Sequence, residues 1–486
     1  MDKYELKNDG MNCSTILIGK RASKTGKVIA AHNEDDMHEL IQSHLVPRMK
    51  HEKGETVSAP DGAAVIPQVK ETWAYYWSEA RGRGGEPFAD GYVNEWGVSL
   101  FSNSCVDSKV PADGKFDGTM GYVYRRLIPE RARTAREGVE ITAELMKKYG
   151  YRSSRCYAIC DKDEAWLVQL TKGHNFAARR VGDNEIAYIP NWYTIHEIDF
   201  NDKKHKNFYW SDTLVSYAME NGWYTPAVEG DYSDFDFAAV YQAGGYDIKS
   251  NWDRSDLAWK LLLKGDPVPH RTFSIKAPRK YSVEDLKPIM RSHYAEHAED
   301  LKDHPDMSPH RYGICRDTTV ESTIVEFNEV PELTCMWRSL PRPYATPFMP
   351  WYLGITEIPK GYEWMGPKEA LASHFAVDED EFAYHAGRAV SAFLLLQNVM
   401  EFNYQAAEER IHGEIAVMEK EWAATKKVID QAYLELVGKN KDYACALLTD
   451  YTSAQAYKTW NWAKQAVLNI AMDRDNANMH YWRSKL

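Results

Sequence analysis

Between Ser14 and roughly residue 340 the chain keeps returning to short apolar, β-branched runs separated by polar turns, and no other feature restricts its fold as strongly. Residues 14–19 are such a run, a polar turn around Gly26 follows, and Val28 to Ala31 resume the apolar character. Another strand pair is expected within 64–102, where Asn94-Glu95-Trp96-Gly97 suits a tight reversal between half-buried strands. Further strands are expected at 155–159, 164–170, 174–181 and 186–190, with Asp161-Lys162-Asp163 turning between the first two, and again near 311–339. Residues 120–150 read as largely helical, because Ala135, Val139, Thr142, Ala143 and Met146 recur at three and four and Gly150 supplies a stop. Shorter helices are expected around 256–263 and 283–292, and from Pro367 the chain becomes almost wholly helical. No Gly, Pro or Ser linker precedes that last region, so it should pack on the body. The class is α+β: strands in antiparallel meanders with a helical C-terminal layer.

Composition excludes several functions. The chain has 486 residues, 59 of them basic and 71 acidic, for a net charge of −12. A nucleic-acid partner would need a basic face to neutralise phosphates, and this balance opposes one. No run approaches the ~18–20 apolar residues of a membrane span, so no membrane partner is expected. Met1 to Asn12 has mixed charges and no apolar core, unlike a secretory signal. The seven cysteines show no paired spacing, which argues against a disulfide framework or zinc module and for reduced thiols in the cytoplasm. No cofactor is expected. Sixteen Trp and 30 Tyr suit a large core and pockets for organic ligands.

Cys13 carries the most chemical information. It stands directly before a strand, behind a short polar leader. One cleavage would free its α-amine, whose pKa of about 7.7–8.0 suits it to take a thiol proton at neutral pH. The plain alternative is a small buried thiol that opens a strand.

The wider context resembles the N-terminal-nucleophile cysteine dipeptidases of peptidase family C69. Cys13-Ser14-Thr15-Ile16-Leu17 followed by Ala31-His32-Asn33-Glu34-Asp35 is similar to the family's opening, and Asn94 to Val98 to its turn. Glu130 to Glu137 resembles its helix start, Asp161 to Trp166 and Gly173-His174 its central strands, and Ile314-Cys315-Arg316, Thr319, Glu321, Ser322, Met336-Trp337 and Pro350-Trp351-Tyr352 its later segments. These motifs keep their order over nearly the whole chain. The resemblance implies a four-layer αββα N-terminal-nucleophile hydrolase fold with an added helical C-terminal region. Its expected parts are a leader at 1–12 that self-cleavage would remove, a core at 13–366 and the helical region at 367–486. It also implies a hydrolase of amide bonds, chiefly in dipeptides, with a small peptide or amide as partner; homo-oligomerisation is left open.

Roles follow from the same resemblance. Cys13 would be the nucleophile and Asp35 would hold its freed amine by a charge-assisted hydrogen bond. Asn191 would donate to the oxyanion, with Asn103 as a second donor that a one-residue register error would replace by Ser104. Arg254 would orient the surroundings of the nucleophile. Strand-end asparagines and a helix-cap arginine are the alternatives. His32 stands where the family usually has arginine and is expected to bind substrate, supplying positive charge only when protonated. Rival readings are an acyl-amino-acid or conjugate amidase on the same fold and an unprocessed, non-catalytic homologue. A metal cluster of His32, Asp35, Asp36, His38 and Glu39 is also conceivable, but a strand entering a turn would make those side chains diverge, so no metal is expected. Cys156 and Cys160 read as core thiols, and the charges of the helix at 125–148 as a solvated face.

Overall fold

The computed structural model describes residues 13–483 except 37–38, 59–63, 83–89, 106–107, 112–122, 245–248, 266–267, 269–271, 294–312 and 402–403. The leader expected at 1–12 and His38 lie outside the described residues. Fifteen of the strands build two sheets. The first six are β1 (Ser14–Ile18), β2 (Ile29–Asp35), β3 (Glu39–Val46), β4 (Tyr75–Gly82), β5 (Gly91–Asn94) and β6 (Ser99–Ser104). Then come β7 (Arg155–Cys160), β8 (Ala165–Leu170), β9 (Phe176–Arg180), β10 (Glu185–Ile189) and β11 (Phe208–Trp210). The last four are β12 (Ile275–Lys276), β13 (Thr319–Glu326), β14 (Cys335–Ser339) and β15 (Met349–Tyr352). One sheet runs β12-β10-β1-β2-β13-β14-β15 and the other β11-β9-β8-β7-β6-β5-β4-β3, with every pairing antiparallel.

The two sheets face each other. Thr15 of β1 reaches Asn103 of β6, and Arg338 of β14 donates to Ser43 of β3 and Ser78 of β4. Helices α1 (Val123–Arg131) and α2 (Ala135–Tyr149) cover the outer face of the eight-stranded sheet. Helices α3 (Lys249–Leu263) and α4 (Val283–Met290) cover that of the seven-stranded one. This is the four-layer αββα arrangement expected.

The local chemistry of the turns explains several boundaries. Gly97, at φ 79°, closes the Asn94–Val98 reversal, a left-handed conformation that glycine adopts without strain. The stretch read as largely helical at 120–150 divides into α1 and α2. The Asn94 side-chain amide takes the carbonyls of Pro129 and Ala132 at 2.8 and 2.7 Å, ending the first helix. Thr134 then caps the second by accepting from the Glu137 N–H at 3.1 Å. The helix is not merely a solvated face: Arg125 is fully buried, donating to Ser102 and lying 3.8 Å from Asp90. Strand β3 has no counterpart in the sequence reading. Its Gln42 and His44 look like loop residues, yet both are buried because Glu79 accepts from one at 2.7 Å and pairs with the other at 2.8 Å.

The C-terminal helices α5 (Ala389–Glu401), α6 (Tyr404–Val437) and α7 (Lys441–Arg483) lie against β15 and its flanks. Tyr352 donates to Asp430 at 2.6 Å and Tyr362 to the Ala456 carbonyl at 2.8 Å. Among the described residues no helix is long and apolar enough to cross a membrane. Glu419 of α6 fastens this layer to the core, accepting from Arg291 at 2.5 Å and from the Phe348 N–H at 2.8 Å. Burial alone would raise the Glu419 carboxyl, but Arg291 and Lys287 overcome it and hold the group below its ordinary value. Its stabilising contribution is therefore present above the ordinary carboxylate range and lost as pH falls through it. Glu419→Ala is expected to cost about 2–3 kcal/mol in urea unfolding at neutral pH, because Arg291 is left half-buried without its carboxylate, and to cost less at low pH.

Candidate active site

Strand pairing builds the site. β1 sits inside its sheet with Thr15 opposite His32 of β2 and Ile189 of β10, and Ser14 opposite Asn33. The next position toward the chain start brings Cys13 beside Glu34, and its thiol donates to Glu34 Oε1 at 3.0 Å. Alternation along a strand then sorts the side chains. Cys13, Thr15, His32 and Glu34 share the face turned to the second sheet. Ser14 and Asn33 share the face turned to the helices, where Arg254 of α3 donates to Ser14 at 3.1 Å and Asn33 donates to the Met290 carbonyl at 2.8 Å.

On the inner face the hydrogen bonds form one chain. Asn103 donates its amide to the carbonyls of Cys13, Ile189 and Pro190 at 3.2, 3.0 and 3.4 Å, which turns its Oδ1 toward Thr15. The Thr15 hydroxyl gives its single proton to that oxygen at 2.7 Å. It must therefore accept from His32 Nδ1, also at 2.7 Å, so His32 carries a proton on Nδ1. His32 Nε2 lies 2.9 Å from Glu34 Oε2, and one further proton is shared there. His32 is 3% exposed and stacks on Phe101 with ring centres 5.1 Å apart. Both of its nitrogens are thus engaged within the protein, in a place quite unlike an open turn. Burial pushes the Cys13 thiol well above its ordinary value, and the carboxylates of Glu34 and Asp35 push the same way.

On the helix side Arg254 donates to the Cys13 carbonyl at 2.7 Å, to Asn191 Oδ1 at 2.9 Å and to Asn251 Oδ1 at 2.6 Å. Asn191 gives its own amide to the carbonyl and hydroxyl of Ser104 at 2.8 and 3.0 Å. Asp35 accepts from the Thr319 hydroxyl at 2.5 Å through Oδ1, while Oδ2 is buried with no hydrogen-bond partner among the described residues. Burial lifts the Asp35 carboxyl to about 7, against the opposing pull of Arg316, Thr319 and Arg254.

The structure therefore brings Cys13, Asn103 and Arg254 into direct contact, joins Asn191 through Arg254, and joins His32 through Glu34. Asp35 is near the thiol only through its backbone carbonyl, at 3.9 Å. Glu34, Thr15 and Thr319 stand in the sequence motifs, but no part in the site was expected of them. The alternation of β2 could have flagged Glu34, since it shares a face with His32. The metal set weighed from sequence does not form among the described residues, because His32 and Asp35, three apart on a strand, face opposite ways. Instead Cys13, His32 and Glu34 hold ligand-type atoms within 4.8 Å of one another, each already committed to the hydrogen-bonded chain. A cavity of about 10 Å³, room for roughly one water, adjoins His32 and Glu34 against Phe101 and Glu321. A larger cavity of about 630 Å³ lies between α2 and β9 and touches none of these groups, so size does not mark the chemistry here.

Comparison with known proteins gives one family model, peptidase family C69, which matches residues 12–376. A probable dipeptidase from Latilactobacillus sakei is 25% identical over 457 residues, covering 90% of each chain. Probable dipeptidase B from Lactococcus lactis subsp. lactis is 23% identical over 469 residues, covering 90% of this chain and 96% of that one. Penicillin V acylase from Agrobacterium tumefaciens superposes on 70% of this chain and 85% of its own with a TM-score of 0.31 and 13% identity.

The raised Asp35 carboxyl has a measurable consequence. Its folded value of about 7 lies above the unfolded value near 3.9, so the folded chain holds a proton that the unfolded chain has lost between those limits. Stability contributed by the protonated group is complete below about pH 4 and lost as pH rises toward 7. Compared with its parent in the same Cys13→Ala background, Asp35→Asn is expected to gain on the order of 3 kcal/mol between pH 4 and 7.5 in urea unfolding.

Proposed function

This chain belongs to peptidase family C69, and on that premise we propose that it hydrolyses dipeptides through Cys13 acting as an N-terminal nucleophile after its leader is removed. The observation that carries the reading is the hold on Cys13: Arg254 and Asn103, from two other segments, grip its carbonyl while its thiol is directed to Glu34 on the face between the sheets. A residue so fixed at a strand start gains little from burial of one small thiol, but a great deal if that thiol must meet a substrate carbonyl at a set position. The relatives named as probable dipeptidases direct the substrate class to dipeptides.

The freed α-amine of Cys13 takes the thiol proton, the thiolate attacks the peptide carbonyl, and the amine returns the proton to the leaving amine. Water then hydrolyses the thioester. The ammonium form pairs with Asp35, whose buried Oδ2 has a place for one more donor. Asn103 or Asn191 supplies the oxyanion donor by exchanging one of the oxygens it now holds, an interaction worth about 2.7–4 kcal/mol in the transition state. Arg254 keeps the start of β1 in register with both asparagines. His32, enclosed by Thr15, Glu34 and Phe101, does not reach the substrate as an exposed side chain. On this reading the chain works in the cytoplasm on small peptides, with neither nucleic acid nor membrane as partner and no metal in the reaction.

Terminal sequencing of active protein is expected to begin at Cys-Ser-Thr. Cys13→Ala should abolish both leader loss and dipeptide turnover, whereas Cys156→Ala and Cys445→Ala keep turnover and chelators leave it intact. Full activity from a chain still beginning at Met1 would sink the free-amine mechanism.

A further inference from the structure

The proposed function leaves one step without a base. Before the leader is removed, the nitrogen of Cys13 is part of the Asn12–Cys13 amide and has no basic lone pair to offer. The thiol is buried among carboxylates and stays protonated at neutral pH, so self-cleavage needs another acceptor for its proton. Among the described residues, the one side chain hydrogen-bonded to Cys13 Sγ is Glu34, through Oε1 at 3.0 Å. Asp35 approaches the sulfur only by its backbone carbonyl at 3.9 Å, and its carboxyl turns instead to Thr319.

From this geometry we propose that Glu34 is the catalytic base of self-cleavage at the Asn12–Cys13 bond, with His32 as the positioning residue that stores the proton behind it. The inference rests on the reading of Cys13 as a nucleophile exposed by processing. The proton count given by Thr15 and Asn103 makes it specific. His32 Nδ1 always carries a proton, so the Glu34–His32 contact at 2.9 Å holds one more. If that proton sits on His32, Glu34 is ionised and takes the thiol proton directly on Oε1. If it sits on Glu34 Oε2, it moves to His32 Nε2 as the thiol proton arrives on Oε1. Both routes end in the same state: thiolate, protonated Glu34 and imidazolium. The charge created on sulfur is then balanced by the imidazolium on the far side of one carboxyl group.

The rest of the step balances from there. The thiolate attacks the Asn12 carbonyl carbon, forming the S–C bond. The C–N bond to Cys13 breaks, and the departing nitrogen takes a proton from Glu34 to become an amine. Water hydrolyses the resulting thioester, breaking the S–C bond and releasing residues 1–12 with a new carboxyl group, while the sulfur regains a proton. The α-amine now stands beside the thiol, and later turnovers use it in place of Glu34.

That change of base gives the test. The full chain with Glu34→Gln, an isosteric loss of the acceptor, is expected to shed its leader at least about a hundredfold more slowly than the parent by intact mass. In a second arm, a protease recognition sequence immediately before Cys13 lets an added protease free the cysteine on demand. Trimmed in this way, the Glu34→Gln chain is expected to hydrolyse dipeptides within about tenfold of the parent trimmed identically. Glu34→Asp, which keeps a carboxylate, should self-cleave at a rate between the two, and it serves as the reporter should the glutamine variant not fold. A parental cleavage rate in Glu34→Gln overturns the proposal. Equal losses in both arms overturn it too, because they mark Glu34 as a support for the fold. Failure of the parent itself to lose its leader overturns instead the reading of Cys13 on which the proposal stands.

Discussion

The register between β1 and β2 is the constraint from which the site follows. With Thr15 opposite His32, the last residue before the strand meets Glu34, and the four polar side chains between the sheets fall into one hydrogen-bonded chain. A slip of one residue would turn every side chain of β1 to the opposite face, placing Cys13 among the helices and Ser14 between the sheets. Two features prevent it. Ile16 and Ile18 on one face and Leu17 on the other are all fully buried, so both faces of β1 are specified by packing. Arg254 and Asn103 also hold the Cys13 carbonyl from opposite sides of the sheet, which fixes the strand lengthwise.

Polar groups placed inside an αββα sandwich are costly unless each finds a partner, and the second sheet shows how this chain meets that cost. Glu79 accepts from Gln42 at 2.7 Å and pairs with His44 at 2.8 Å and His374 at 3.0 Å, while His374 pairs with Asp90 at 3.0 Å. Burial works against the charge on Glu79, but the two imidazoles prevail and hold it far below the usual carboxylate range. His374 follows the segment 367–373, so this cluster joins the beginning of the helical region to the edge of the sheet. Glu419 with Arg291 does the same from α6. The C-terminal helices are therefore bound to the core by buried ionic contacts as well as by apolar packing.

Much of this was legible in the linear chain. The runs at 14–18 and 28–31, the meander of β7 to β10 and the reversal at Asn94–Val98 announce themselves because β-branched residues and turn residues act locally, whereas the continuation of β2 through His32 to Asp35, read as a turn, does not. β3 did not, since its Gln42 and His44 become tolerable inside only when Glu79, far along the chain, arrives to satisfy them. The break between α1 and α2 was hidden for the same reason: the Asn94 side chain that takes the carbonyls of Pro129 and Ala132 comes from a turn more than thirty residues earlier.

By itself the sequence determined the class of fold, the place of Cys13 at a strand start and the order of the motifs, because strand runs, turns and a cysteine at a strand start are written in neighbouring residues. Only the tertiary structure decided what surrounds that cysteine. Glu34 looked like one acid of an acidic turn, His32 like an exposed substitute for an arginine, and Asp35 like an ordinary carboxylate. Strand alternation put the first two on the buried face beside the thiol, and burial at the sheet's helix side raised the third to about 7. Hydrogen-bond partners and dielectric surroundings are properties of three-dimensional neighbours, and spacing along a chain does not carry them.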